Sequence, residues 1–283
     1  MTPAPVVRPG SLIAPGVVVI EHMRRGEDLD AYDCWSHERY SRCFVKTVRP
    51  DRAGSRGPGR RLVREGRLLL SFTHPHLVRA YDLVPAGPGG VPVLVMETLT
   101  GATLSHVLGR RGRLRLVELA HLGRHLCSAL RYLHDHGYLH LDLKPSNVIA
   151  EGGRARVIDL SLARRPGRTR SGRGTATHMS PEQARGGTLT TAADVWGVGL
   201  VLFEAATGVR PFDDGSPSTS TAPALQLTRS APKVATVRRL PAALAKTLDA
   251  CLQPAPGDRP QLAELDACLA AVTGRPAALD RIA

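Results

Sequence analysis

Eight consecutive residues, His140-Leu141-Asp142-Leu143-Lys144-Pro145-Ser146-Asn147, gather groups able to move a phosphoryl group. A second acid follows at Asp159, inside the apolar run Val157-Ile158-Asp159-Leu160-Ser161-Leu162-Ala163. Transfer from a nucleotide to a hydroxyl needs an acceptor for the hydroxyl proton. It also needs a cation beside the moving group and oxygen ligands for Mg²⁺. Asp142 can orient or deprotonate a hydroxyl, and Lys144, two residues on, brings an ammonium. Asn147 and Asp159 bring hard oxygens, one from a loop and one from the end of a short apolar strand. A polar turn after a helix explains any one of these residues as well, because Asp and Asn bond their own backbone. It does not explain the whole string, with Lys-Pro inside it and a second acid at this distance.

These two segments resemble the catalytic loop and metal-binding motif of protein kinases, H-R-D-L-x-x-x-N followed by D-F-G. Leu141 stands in place of the Arg, and Leu160-Ser161 in place of Phe-Gly. Other segments extend the resemblance over roughly residues 17–272. Cys43-Phe44-Val45-Lys46 is similar to V-A-I-K, and His74-Pro75-His76-Leu77-Val78 to H-P-x-I-V. Met179-Ser180-Pro181-Glu182-Gln183, after Gly174-Thr175, is similar to the close of a bacterial-type activation segment, with His178 in place of Tyr. Asp194 and Trp196 lie in D-V-W-G-V-G, and Pro256-Gly257-Asp258-Arg259-Pro260 closes the pattern. The chain has only four lysines, Lys46, Lys144, Lys233 and Lys246, and two fall where a kinase needs an ammonium.

Bulk properties agree with a folded soluble protein. The chain has 283 residues, 42% of them hydrophobic, and no run of about 18 apolar residues. No signal-like apolar core opens it, so a cytoplasmic location is the expectation. The five cysteines are scattered and include no C-x-x-C, which suggests neither a disulfide framework nor a zinc site. The net charge of +13 invites a nucleic-acid reading. The arginines are spread along the chain without interleaved aromatics, which argues against it.

The elements that must position these residues follow from periodicity. Residues 1–16 read as an extended lead-in, and Val17–Glu21 as a first strand. The next stretch, His22 to Tyr32, holds a single glycine, Gly26, where a kinase has its glycine-rich loop. Arg42–Val48 is a strand carrying Lys46. Arg61–Phe72 is a helix after a Gly/Arg/Pro loop at 53–60, with Glu65 as its one acid. Tyr81–Val84 and Val91–Met96 are strands. Leu116–His136 is an amphipathic helix, on which His121 and His125 read as surface polar residues. Arg164 to His178 reads as a mobile surface loop, and residues 213–223 as a Ser/Thr/Pro-rich insertion. Thr191–Thr207 is a buried helix. Leu240–Leu252 and Gln261–Val272 are closing helices.

The resemblance implies an α+β, bilobal protein-kinase-like fold. Residues 17–97 form a small antiparallel β lobe with one helix, residues 98–272 a larger, mostly helical lobe, and 273–283 a tail. It implies an ATP-dependent Ser/Thr protein kinase acting on protein substrates, with ATP and Mg²⁺ or Mn²⁺ as cofactors and no membrane partner. Asp142, Lys144 and Lys46 would be catalytic. Lys46, Glu65, Met96, Glu97, Leu99 and Gly26 would bind the nucleotide, and Asn147 and Asp159 the metal. Asp194 would hold the catalytic-loop backbone, and Arg259 would pair with Glu182. With Leu141 in the Arg position, activity is expected not to depend on phosphorylation of the 164–178 loop. Two rivals stay open: a pseudokinase scaffold, favoured by the degenerate glycine loop, Leu160-Ser161 and Phe44, and a small-molecule phosphotransferase of the same fold.

Overall fold

The computed structural model describes residues 5–170, 174–213 and 224–274, which form two compact units. The first comprises the described residues up to Thr100 together with Asp159–Ser161. Its frame is a six-stranded antiparallel sheet built from β1 (Leu12–Ala14), β2 (Val17–Arg25), β3 (Leu29–Ser36), β4 (Ser41–Val48), β5 (Ala80–Val84) and β6 (Val93–Glu97), in the order β1-β2-β3-β4-β6-β5. One helix, α1 (Arg56–Ser71), lies between β4 and β5 in the chain.

The two faces of the sheet differ in chemistry because residues i and i+2 of a strand share a face. On one face, Ile13, Val19, Tyr32, Cys34, Val45 and Val95 are part of a buried cluster, joined by Val6 and Val7 of the lead-in. On the other, the register sets Ala31, Lys46 and Leu94 in one row and Asp33, Phe44 and Met96 in the next. Phe44 and Lys46 therefore share a face, as alternation requires. Helix α1 closes on the sheet through Gly66. A Cβ there would lie 2.8 Å from Leu83 Cδ1 and 3.1 Å from Leu94 Cδ1. Any larger residue would push the helix, and Glu65 with it, off the sheet.

Three sequence expectations need correction in this unit. The lead-in contains strand β1, whose Ile13 and Ala14 are only 2% and 3% exposed. Gly16, at φ +67, turns it into β2. The stretch from His22 to Tyr32 is mostly strand, since β2 continues to Arg25 and β3 begins at Leu29. Charges hold this hairpin where glycines were absent. Buried Asp30 accepts from Arg25 and His22, Arg49 donates to the carbonyls of Gly26 and Glu27, and Arg61 pairs with Asp28. Helix α1 starts at Arg56, inside the expected loop. Its Pro58 falls in the first turn, where a missing N–H costs nothing.

The second unit runs from Gly101 to Ile158 and on from Leu162. In chain order it holds β7 (Ala102–Thr103), α2 (Leu104–Arg111), α3 (Leu116–Asp135), β8 (Val148–Glu151), β9 (Arg154–Val157), β10 (Gly167–Thr169), α4 (Pro181–Arg185), β11 (Gly187–Leu189), α5 (Thr191–Thr207), α6 (Val234–Val237), α7 (Ala242–Cys251) and α8 (Leu262–Thr273). The apolar stripe of α3, with Leu119, Leu126, Leu130 and Leu133 fully buried, packs against α5 and α8. Helix α5 is buried almost all round, as its composition predicts. Thr190 caps its first turn, and Gly208, at φ +78, ends it.

Here too the structure corrects the sequence reading. His125 is half-buried, and its Nδ1 accepts from Ala155 N at 3.2 Å. The expected surface loop at 164–178 contains β10, paired antiparallel with β11. The expected insertion at 213–223 lies, from residue 214, outside the described residues, as does the tail beyond Gly274. No described helix is long and apolar enough to cross a membrane.

The His74–His76 turn offers a pH test. The His76 N–H donates to His74 Nδ1 at 3.2 Å, which needs that nitrogen unprotonated. Burial, with His76 close by, lowers the His74 pKa to about 4. A depressed folded-state pKa gives stability that is complete above about 6.5 and is lost as pH falls through 4. In His74→Asn, Oδ1 keeps an acceptor for the turn but does not titrate. Urea unfolding from pH 7 to pH 4 is expected to show a shallower loss of stability in the variant than in the parent.

Candidate active site

In the first unit an ammonium sits between two carboxylates. Lys46 Nζ lies 2.8 Å from Glu65 Oε1 and 3.7 Å from Asp159 Oδ2. Burial alone would lower the Lys46 pKa, but the charges of Asp159 and Glu65 outweigh it and raise the value. Burial pushes Glu65 up to about 6, with Lys46 opposing the shift. Glu65 is 1% exposed, and Lys46 binds only its Oε1. Lys46 is thus the group that keeps a buried carboxylate ionised. Asp159 turns Oδ1 toward Ser161 N at 2.8 Å. Met96 is buried at the end of β6, Glu97 pairs with Arg79 through both backbone and side chain, and Leu99 is half-buried. The N–H of Gly26 donates to Leu29 O at 2.8 Å, so the single glycine of the hairpin spends its donor on closing the turn.

The second unit brings together Asp142, Lys144 and Asn147, with Thr175 as a fourth member. Lys144 Nζ lies 2.9 Å from Asp142 Oδ2 and donates to Thr175 Oγ1 at 2.6 Å. Thr175 Oγ1 in turn donates to Asp142 Oδ1 at 3.1 Å. Asn147 Nδ2 donates to Asp142 O at 2.9 Å and to Asp142 Oδ2 at 3.1 Å. Both contacts use the amide nitrogen, which orients the carbonyl oxygen away from Asp142. Asn147 in this unit and Asp159 in the first each present an oxygen, amide or carboxylate, of the kind that suits a hard divalent cation.

Several contacts hold this loop. Asp194, on α5 and 1% exposed, accepts from His140 N and Leu141 N at 2.8 Å each and from His134 Nε2 at 2.8 Å. Burial would raise its pKa, but the His134 hydrogen bond and charge and the Leu141 N–H bring it below the usual carboxylate range. Leu141 has φ +67, a left-handed conformation that costs a non-glycine residue roughly 1–2 kcal/mol. Gln183 Nε2 donates to its carbonyl at 3.0 Å, and its side chain packs among Leu139, Leu189 and Ala193. The apolar side chain thus fills a place where the kinase pattern carries an arginine.

The activation-segment side is fixed by Arg259. Its guanidinium, 0% exposed, makes bonds of 2.7 and 2.8 Å to the two oxygens of Glu182. It also donates to the carbonyls of Ala192, Gln253 and Pro254 and lies 5.1 Å from the centre of the Trp196 ring. His178, half-buried and within hydrogen-bond reach of Thr177, has its pKa lowered to about 4 by burial and by Lys144.

Sequence reasoning anticipated the Lys46–Glu65 pair, Asp194 on the catalytic-loop backbone and the Arg259–Glu182 pair. It did not anticipate His134 on Asp194 or Gln183 on Leu141. His134 was legible only as a polar residue at the end of α3. Gln183 sat in the quoted Pro-Glu-Gln string, where nothing local says which backbone it would reach.

A two-unit chain with these clusters fits a phosphotransferase of the protein kinase class. The sequence matches the protein kinase domain family over residues 18–268, and the chain belongs to that family. It is similar to the serine/threonine-protein kinase PkaA of Streptomyces coelicolor, 34% identical over 230 residues, with 78% of this chain and 41% of that protein covered. It is also similar to PknB of Mycolicibacterium smegmatis, 35% identical over 185 residues, with 61% and 29% covered. PrkC of Bacillus subtilis is 34% identical over 178 residues, with 61% and 27% covered. The chain therefore spans less than half the length of these relatives.

Removing one partner of a buried ion pair leaves the other charge uncompensated, at a cost of about 3–5 kcal/mol. Glu182→Ala should impose that cost on Arg259. At roughly 2–4 °C per kcal/mol for a chain of this size, thermal unfolding is expected about 6–20 °C lower. A shift within 2 °C of the parent would show that Arg259 is compensated by its carbonyl partners alone.

Proposed function

We propose that this chain is an ATP-dependent serine/threonine protein kinase that transfers the γ-phosphoryl group of ATP to a hydroxyl of a protein substrate. The observation that carries this reading is the closed network of Asp142, Lys144 and Thr175 on a loop clamped by Asp194. Asp142 accepts the proton of the substrate hydroxyl as the oxygen attacks phosphorus. Lys144, poised between Asp142 and Thr175, neutralises charge on the transferring phosphoryl oxygens. Lys46, held by Glu65, grips the α- and β-phosphates. Met96, with the backbone of Glu97 and Leu99, takes the adenine. Gly26 can contribute a phosphate donor only by giving up its bond to Leu29. Asn147 and Asp159 would hold Mg²⁺ or Mn²⁺, which when bound screens the phosphate charge. The Ser/Thr preference rests on Lys144 and Thr175, and on the similarity to serine/threonine-protein kinases.

The test is transfer from labelled ATP, with Mg²⁺ or Mn²⁺, to a general protein substrate. Asp142→Asn keeps the shape and removes the proton acceptor. It is expected to slow transfer about 10²–10⁴-fold with unfolding unchanged. Transfer by the variant at the parent rate would reject this mechanism.

Phe44 bears on the nucleotide. It is half-buried on the Lys46 face, between Asp33 and Met96, beside the bidentate Arg42–Asp33 pair. The family pattern V-A-I-K has the small Ala there. Overpacking a formed site costs about 1–3 kcal/mol, or roughly 5- to 150-fold in affinity. Phe44→Ala is therefore expected to bind a fluorescent ATP analogue more tightly than the parent by a factor in that range. Tighter binding by the parent would mean that the ring stacks on the base.

A further inference from the structure

Between Asp159 and Asp194 the sequence contains six arginines and a single acid, Glu182. That acid is consumed by the buried pair with Arg259. The segment therefore has no carboxylate of its own to offer the remaining guanidinium groups. Arg164 is engaged internally, donating to the carbonyls of Arg165 and Arg168. Arg165, Arg168, Arg170 and Arg185 are exposed, and none has an acidic partner among the described residues. The β10–β11 ribbon groups them. Thr169 lies opposite Gly187, so Arg170 and Arg185 leave the ribbon at the same end, while Arg168 stands across from Thr188. Arg165 lies 5.5 Å from the centre of the Tyr138 ring, which keeps its charge beside the loop that leads to Asp142. The same segment continues to Thr175, hydrogen-bonded to Asp142. A strip of uncompensated positive charge thus belongs to the piece of chain that touches the proposed proton acceptor.

We infer that the arginine strip of Arg165, Arg168, Arg170 and Arg185 is a docking surface for acidic peptide, so that this chain prefers acceptor hydroxyls flanked by Asp or Glu. The inference rests on the kinase reading and names its substrate class. Guanidinium groups favour carboxylates through charge-assisted, often bidentate bonds. Single-stranded nucleic acid would also need aromatic stacking platforms, and the one Tyr, Phe or Trp ring in contact with the strip among the described residues, Tyr138, is half-buried under Arg165.

The test uses three synthetic peptides with one Thr acceptor, flanked by Glu, Gln or Lys, against the full chain and its R165Q/R168Q/R170Q/R185Q variant. None of these four residues belongs to the catalytic network. Four exposed charge contacts should give the Glu peptide an advantage of about tenfold over the Gln peptide, seen in KM. The advantage should vanish in the variant and shrink at about 0.5 M salt, where screening reaches only a few ångströms. Transfer to the Gln peptide should be the same in both proteins. Equal KM for the Glu and Gln peptides in the parent would overturn the inference. Fluorescence anisotropy of the labelled Glu peptide gives a readout independent of transfer. Arginine-dependent binding without transfer to any peptide would uphold the strip and reject the kinase reading. Oligouridylate binding more tightly than the Glu peptide would overturn the strip's assignment to peptide.

Discussion

A carboxylate removed from water must have its oxygens hydrogen-bonded, or its burial costs several kcal/mol. Asp194 meets that demand with two backbone N–H groups of the catalytic loop and the ring of His134. The dependence runs both ways. Helix α5 is buried almost all round and cannot accommodate the acid without those donors. The loop holds Leu141 at φ +67, a conformation it would leave without an anchor. Gln183 fixes the other side of the same residue through its carbonyl. With Leu141 pinned on both sides, Asp142 has a defined position, and Lys144, Asn147 and Thr175 can close around it.

The second constraint is charge neutralisation at Lys46. Glu65 and Asp159 come from distant parts of the chain, yet both approach one ammonium within 3.7 Å. Glu65 is so deeply buried that its pKa rises to about 6 even with the lysine beside it. Gly66 is what allows this, since helix α1 could not approach the sheet with a side chain at that position. A residue with no chemistry of its own thus sets the position of one that has it.

Much of this was legible in the sequence. The strand carrying Lys46, the helix carrying Glu65, the amphipathic α3 and the buried α5 follow from hydrophobic periodicity. So does the shared face of Phe44 and Lys46. What was not legible has physical causes. Strand β1 is three residues long and framed by Pro and Gly, so its sequence looks like a linker; its burial against the sheet is a tertiary fact. Strand β3 was hidden because Asp30 and Asp33 interrupt its apolar pattern. Both are buried, and their arginine partners, Arg25 and Arg42, lie on the neighbouring strands β2 and β4. Helix α1 begins at Arg56 with Gly57, Pro58 and Gly59, and Gly and Pro locally disfavour helix; the packed turns that follow outweigh them. The left-handed Leu141 has no local signal at all, since leucine does not favour that region.

The hairpin at Gly26 shows how one physical need can be met by different chemistry. A glycine-rich loop follows a ligand closely because its backbone is free to bend, and it loses that freedom on binding. Here the strands run almost to the tip, and ion pairs replace flexibility. Asp30 is 0% exposed and accepts from Arg25 and His22, whose hydrogen bonds outweigh the effect of burial and hold its pKa below the usual range. Arg49 and Arg61 tie down the turn itself. A hairpin made in this way is ordered before any ligand arrives, so little entropy remains to be lost on binding. The turn also commits the N–H of Gly26 to Leu29 and the guanidinium of Arg61 to Asp28, so neither is free to meet a phosphate. On the proposed kinase reading, phosphate affinity would come from Lys46 and a bound divalent cation rather than from the tip. The Lys46–Glu65 pair would then carry the nucleotide of the proposed reaction, and the close packing of helix α1 at Gly66 holds that pair in place.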